Sequence, residues 1–252
     1  VSQDNEPSLL ARAGQLSTLG RKEAAAELYE QVLASNPESD PALIGLAYVT
    51  MGKDPRGALV RAKQAAAQAP DSVRAHTVAA WCHEGCGNND AAIEHGRRVV
   101  ELTPDSSDAH QTLAQLLCSR NRARDPSEAR QAAGTAIRLD PQNSLAWFAM
   151  ARVDLLEDKQ QEARGSLHRA LEIDPNFAEA QQTLAALDRF DGNKAGALAT
   201  LHFLVRQDPT NESSRDALDA TLQDLLQDFL WAAFAIGLIL AFVMLIVVGG
   251  AR

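Results

Sequence analysis

Aromatic residues make up only 5% of this chain although 46% of it is hydrophobic, so alanine and small aliphatic side chains carry the apolar content. That balance favours helices over sheets, because strands draw on aromatic and β-branched residues. Cysteine is scarce. Cys82, Cys86 and Cys118 are too few and too irregularly spaced for a disulfide framework in 252 residues, and they leave the redox compartment open. Basic charge is also in deficit, with 24 Lys and Arg against 33 Asp and Glu and a net charge of −9. Neutralising phosphates needs clustered Lys and Arg, so nucleic acid is not an expected partner.

Catalytic signatures are missing as well. There is no Gly-x-Gly-x-x-Gly or Gly-x4-Gly-Lys-Ser/Thr phosphate loop, no Gly-x-Ser-x-Gly elbow and no His-Glu-x-x-His, so neither enzymatic activity nor a cofactor is expected. One metal-like grouping exists: Cys82, His83 and Cys86, with Cys118, His76 and His110 elsewhere. Cys82 and Cys86 are four residues apart and could share a zinc ion on one helix face. Their spacing does not specify four tetrahedral ligands, and buried free cysteine is ordinary in an alanine-rich core, so no metal site is expected.

What the sequence does contain is one long apolar run. Residues 229–248, FLWAAFAIGLILAFVMLIVV, carry neither a charged nor a polar side chain other than the Trp231 indole. A helix of that length rises roughly 30 Å, the thickness of a bilayer's hydrocarbon core, and predicts a single transmembrane helix followed by a short tail, 249–252. At the other end, VSQDNEPSLL has no basic stretch leading into an apolar run, so no signal peptide is visible, and Val1 in place of Met implies an edited start. The expected topology is a cytoplasmic repeat domain with a C-terminal anchor; a periplasmic domain after signal cleavage is the alternative.

The rest of the chain is periodic. Pro37, Pro70, Pro104, Pro141, Pro175 and Pro209 are separated by 33, 34, 37, 34 and 34 residues. Twelve residues before each lies Ala25, Ala58, Ala92, Ala129, Ala163 or Ala197; five before lies Val32, Ala65, Val99, Ala136, Ala170 or Leu204. A further alanine recurs at Ala13, Ala47, Ala80, Ala114, Ala151 and Ala185. Small side chains at fixed positions of two helices let antiparallel backbones approach closely, and proline closes the second helix. Ser72, Ser106 and Asn143 are placed to cap the helices that follow, and Asp40-Pro41 reads as an N-cap with proline at the first helical position.

This pattern resembles the tetratricopeptide repeat, a 34-residue helix-turn-helix unit with the signature W-x2-L-G-x2-Y, A-x3-F-x2-A and a closing proline. The best match is Trp147-x2-Met150-Ala151, then Ala163-x3-Leu167-x2-Ala170 and Pro175, while only Tyr29 keeps the aromatic of the second helix. The resemblance implies an all-α fold: a right-handed superhelical solenoid of six repeats, about 6–39, 40–72, 73–106, 107–143, 144–177 and 178–210. Length changes fall in the turns at 51–55 and 120–125. Residues 211–228, with Leu218, Leu222, Leu225 and Phe229 at helical spacing, read as a capping helix running without a breaker into the span.

Such stacks bind peptides or helices along the concave face of the first helices, and the resemblance implies which residues face it. The expected partner-binding set is Ile44, Tyr48, Met51, Trp81, Gln111, Gln115, Phe148, Arg152 and Leu155. Lys and Asn are absent from these positions, which disfavours a carboxylate clamp for a chaperone tail; a segment with apolar anchors is expected instead. In the span, Ala233, Gly237 and Ala241 place small residues on one face, suited to close packing with another membrane helix. The expected function is therefore a membrane-anchored interaction scaffold, the alternative being an accessory subunit of a larger membrane complex such as a respiratory, secretion or pilus assembly.

Overall fold

The computed structural model describes residues 6–119 and 126–249, with side chains as far as residue 239. Among these residues every regular element is an α-helix: α1 (Glu6–Thr18), α2 (Lys22–Ser35), α3 (Asp40–Thr50), α4 (Pro55–Gln68), α5 (Val73–Gly85), α6 (Asn89–Leu102), α7 (Ser107–Ser119), α8 (Ser127–Leu139), α9 (Ser144–Leu156), α10 (Gln160–Ile173), α11 (Ala178–Phe190), α12 (Lys194–Gln207) and α13 (Glu212–Gly249). Each of the six closing prolines stands two positions after the last residue of the second helix of a pair. All the periodic small and aliphatic positions lie in the seams: none of the alanines, valines or the leucine named above is more than 3% exposed. Alanine there brings the helix axes close at no cost in side-chain entropy.

The chain divides into two compact units, residues 1–166 and 167–252. In the first, α1 to α3 bury Ala13, Ala25, Tyr29, Val32, Leu46 and Val49 together, α3 to α5 bury Leu43, Ala58, Ala62 and Cys82, and α5 to α9 bury Ile93, Leu113, Leu116 and Val153. In the second, Ala185, Leu201 and Leu204 of α11 and α12 pack with Ala217 and Leu218 of α13.

Caps act where small polar residues precede helices: Ser72, Ser106 and Asn143 accept the backbone N–H groups of Ala75, Ala109 and Ala146. Asp40 behaves differently. It lies inside α3 rather than at its cap, which is Ser39, and the Ser39 hydroxyl instead donates to Glu6 Oε1 of α1 at 2.7 Å. Turns inside the pairs use a left-handed residue seventeen positions before the closing proline: Gly20, Gly87, Asp158 and Gly192, with φ of 75°, 75°, 57° and 83°.

Helix α13 is continuous through residues 212–249. On its inner face Ser214 and Thr221 are the fully buried residues, Leu218 and Leu225 are half-buried, and Leu222, 40% exposed, lies beside Ala195, Leu198 and His202 of α12. The hydroxyls are satisfied locally, Thr221 donating to the Ala217 carbonyl and Ser214 accepting from Gln182 Nε2. Small hydroxyl residues let α13 approach closely, which a leucine at 221 would prevent. Further along, Phe229, Leu230, Trp231, Phe234, Ile236 and Ile239 are all more than half exposed, so this part of α13 has no protein partner among the described residues. By length and composition it is apolar enough to cross a membrane.

Candidate functional site

The site begins at a contact between α2 and α3. Tyr29 is buried, and its ring lies directly on the backbone of Gly45, so close that a Cβ at position 45 would collide with the ring. Glycine at this point is what lets the phenol pack between two repeats. Burial pushes the Tyr29 pKa up, and the nearby Arg74 guanidinium pulls against that shift.

Beside this contact opens a cleft of about 420 Å³. Helix α1 contributes Gly14, Ser17 and Thr18; α3 contributes Ile44 and Tyr48; α5 contributes Arg74, Thr77 and Trp81. All belong to the first helices of three successive pairs, joined by Tyr29 from α2. Ile44 is buried, Trp81 half-buried and Tyr48 42% exposed, and the Tyr48 and Trp81 rings meet with centroids 6.1 Å apart, tilted by 47°. Small residues at Gly14 and Ser17 leave the opposite wall low. The result is an open apolar slot with one positive charge, Arg74, in its lining. The volume is within the range of pockets that enclose a small organic group.

Three of the expected partner-binding residues, Ile44, Tyr48 and Trp81, are thus brought into one cleft. Met51 follows one turn beyond Tyr48 and packs against the α3–α5 core. The others lie outside the cleft. Gln111 is buried and donates to Gln115 Oε1 at 3.0 Å on α7, and Arg152 of α9 donates to Ser119 Oγ at 3.3 Å. Phe148 and Leu155 of α9 are half-buried. Tyr29, Arg74, Ser17 and Thr18 are lining residues that the repeat register alone does not single out. A signal for Tyr29 was present, since it is the one aromatic at its repeat position and faces a glycine in the next helix.

Cys82 is buried with its thiol pKa pushed up to about 11, first by burial and then by Cys86, while Cys86 Sγ contacts the Pro55 carbonyl. Both are free thiols. Among the described residues no group of three or more His, Cys, Asp or Glu side chains is arranged to hold a metal ion. Ala233 and Gly237 are exposed on α13, and the Ala241 side chain lies outside the described residues.

A family model described as tetratricopeptide repeat matches residues 50–116 and 121–187, just over half of the sequence. The chain belongs to the tetratricopeptide repeat family. Solved structures agree on the fold. A tetratricopeptide repeat protein from Parabacteroides merdae is 14% identical with a TM-score of 0.76, over 88% of this chain and 86% of that one. PilF of Pseudomonas aeruginosa is 16% identical with a TM-score of 0.62, over 84% and 96%. MamA is 21% identical with a TM-score of 0.53, over 66% and 96%. No curated protein sequence matches the chain. In this tetratricopeptide repeat protein the cleft falls on the first helices of its first three units, and the best-matching tryptophan, Trp147, donates its indole N–H to the Pro141 carbonyl.

Proposed function

We propose that this tetratricopeptide repeat protein is a membrane-anchored scaffold that holds a partner protein segment in the cleft between α1, α3 and α5. The tetratricopeptide fold is a protein–protein interaction scaffold, and the observation that carries the finer reading is the convergence of Ile44, Tyr48, Thr77 and Trp81 on one apolar slot. Aromatic side chains held at the centre of a pocket are the usual sources of binding energy at interfaces. The ligand that fits is an extended or helical segment that inserts an aromatic or long aliphatic side chain between Tyr48 and Trp81. The exposed apolar stretch from Phe229 onward supports an anchor, because leaving so many large side chains in water is unfavourable by about 25 cal/mol per Å². Anchoring would confine the scaffold to the bilayer and raise the effective concentration of membrane-bound partners.

Site-specific photocrosslinking tests the cleft directly. A photoreactive residue replacing Tyr48 in the full chain is expected to yield a discrete protein adduct, and one replacing the exposed Val60 of α4 is not. Equal adducts from both positions would contradict the reading. Alkaline extraction of membranes tests the anchor: the protein is expected to remain in the membrane fraction, and its release would contradict the span.

A further inference from the structure

The α11–α12 turn stands at the level where α13 leaves the polar part of its sequence. Helix α12 runs antiparallel to the start of α13: its last buried residue, Leu204, clusters with Ala217 and Leu218, while its first, Lys194, reaches Asp228. Lys194 Nζ also donates to the Asp224 carbonyl, and Arg189, at the end of α11, pairs with Asp224 at 3.3 Å. Asp228 is the last charged residue before the apolar run that starts at Phe229. These contacts set the turn from Phe190 to Asn193 level with residues 224–228, the last polar turn of α13 before that run.

Most of this turn is polar and exposed, and Gly192 adopts a left-handed φ of 83° to make it. Phe190 is the exception: its ring is 74% exposed, comparable to Phe229 and Trp231 on α13. A single exposed phenylalanine on a soluble surface needs no explanation. One held level with the boundary of a membrane span has a specific environment available to it, since phenylalanine on interfacial elements buries into the boundary between headgroups and acyl chains.

We propose that the α11–α12 turn docks on the lipid surface, with Phe190 inserted in the interfacial layer of the bilayer that α13 enters; this rests on reading α13 as a span. The Arg189–Asp224 and Lys194–Asp228 pairs neutralise the charges nearest the boundary, which lowers the cost of bringing the turn against the headgroups. Each cation here is matched by a carboxylate and none is left over to attract anionic headgroups, so the surface that fits is zwitterionic lipid. Two interfacial contacts on separate elements, Phe190 on α11 and Trp231 on α13, fix the tilt of the second unit relative to the membrane.

The test uses the full chain with Cys82→Ala, Cys86→Ser and Cys118→Ala, in phosphatidylcholine nanodiscs, with an environment-sensitive fluorophore on a single introduced cysteine and spin-labelled lipids as quenchers. Asp191→Cys reports the turn with Phe190 retained, and Ile236→Cys reports the span. Quenching of the 236 label by deep spin labels, together with loss of most of the 191 fluorescence to shallow ones that Phe190→Ser abolishes, is the expected result. A quenched 236 label with an unquenched 191 label, or quenching at 191 that survives Phe190→Ser, overturns the docking while leaving the span in place. An unquenched 236 label overturns the span, and the docking with it.

Discussion

The indole Nε1 of Trp147 donates to the carbonyl oxygen of Pro141 at 3.0 Å, and the same relation recurs from repeat to repeat with different chemistry. His76 Nε2 bonds the Pro70 carbonyl at 2.9 Å, His110 Nε2 the Pro104 carbonyl at 2.8 Å, Gln181 Nε2 that of Pro175 and Arg215 Nη1 that of Pro209. Where the position holds Leu43, which has no donor, Gln64 of α4 reaches Pro37 at 3.5 Å instead. A proline closing a helix leaves its carbonyl with no intrahelical partner, so the position selects an N–H donor rather than an indole.

Trp147→Phe, which keeps an aromatic ring and removes the donor, is therefore expected to lower stability by about 1 kcal/mol beyond the loss of ring size, and Trp147→His to recover part of it. Denaturant unfolding of the two variants is the check; equal stabilities would show that the donor is irrelevant.

Asp158 is a non-glycine residue at a position where the corresponding turns of three other repeats use glycine. A left-handed conformation costs an L-residue on the order of 1 kcal/mol, so Asp158→Gly is expected to raise the melting temperature. The same substitution at an ordinary turn residue would lower it through unfolded-state entropy.

Asp154 is buried at 3% exposure, accepting from Arg130 Nη2 at 2.6 Å and from Ser166 Oγ at 3.2 Å. Arg130 also pairs with Glu157, whose pKa is drawn down to about 2, first by Arg130 and then by Lys159. Arg130→Met leaves a buried carboxylate without its cation and is expected to cost about 2 kcal/mol, less than for a fully buried pair because the guanidinium is 36% exposed and Ser166 still donates, whereas Arg130→Met with Asp154→Leu recovers much of the loss. A single variant as stable as the parent protein would contradict the role of the pair.

On the seam between α5 and α6, His76, His83 and His95 form one cluster. The Pro70 carbonyl only accepts, so His76 Nε2 holds a proton and its Nδ1 accepts from His95 Nδ1–H at 2.8 Å. The rings of His83 and His95 stack at 5.3 Å, and His83 Nδ1 is buried without a partner. Burial, then His76, His83 and Lys63, push the His95 pKa from 6.5 down to about 4; burial and Lys63 also lower that of His83, with Glu94 opposing. Between these limits the unfolded chain binds protons that the folded one refuses. Stability is therefore intact above the ordinary histidine pKa and falls as pH drops toward about 4. Thermal melts across that window should show a steeper decline for the parent protein than for His95→Gln; parallel curves would count against the cluster.

The helix pairs were legible in the sequence because alanine at Ala25, Ala58 and Ala92, and its counterparts in the first helices, marks close backbone approach at one period. What was not legible depended on partners distant in sequence. Ser39, not Asp40, stands at the start of α3, and its hydroxyl does not cap that helix but donates to Glu6, thirty-three residues earlier. Thr221 rather than Leu222 takes the fully buried position of α13, since both fit a helical pattern and only the neighbours decide between them. In the cleft, Ile44, Tyr48 and Trp81 followed from repeat register, whereas Tyr29 and Arg74 enter from a second helix and from the first turn of α5.

The central claim is that the Tyr48–Trp81 cleft binds a partner rather than only packing the repeats together. It is tested most directly by the affinity of Trp81→Ala for the protein crosslinked from position 48, measured beside its melting temperature. The account predicts affinity weakened by roughly thirtyfold, about 2 kcal/mol, with melting little changed. Unchanged affinity with a stability loss of roughly 3–5 kcal/mol would show that the indole is core, and would contradict it.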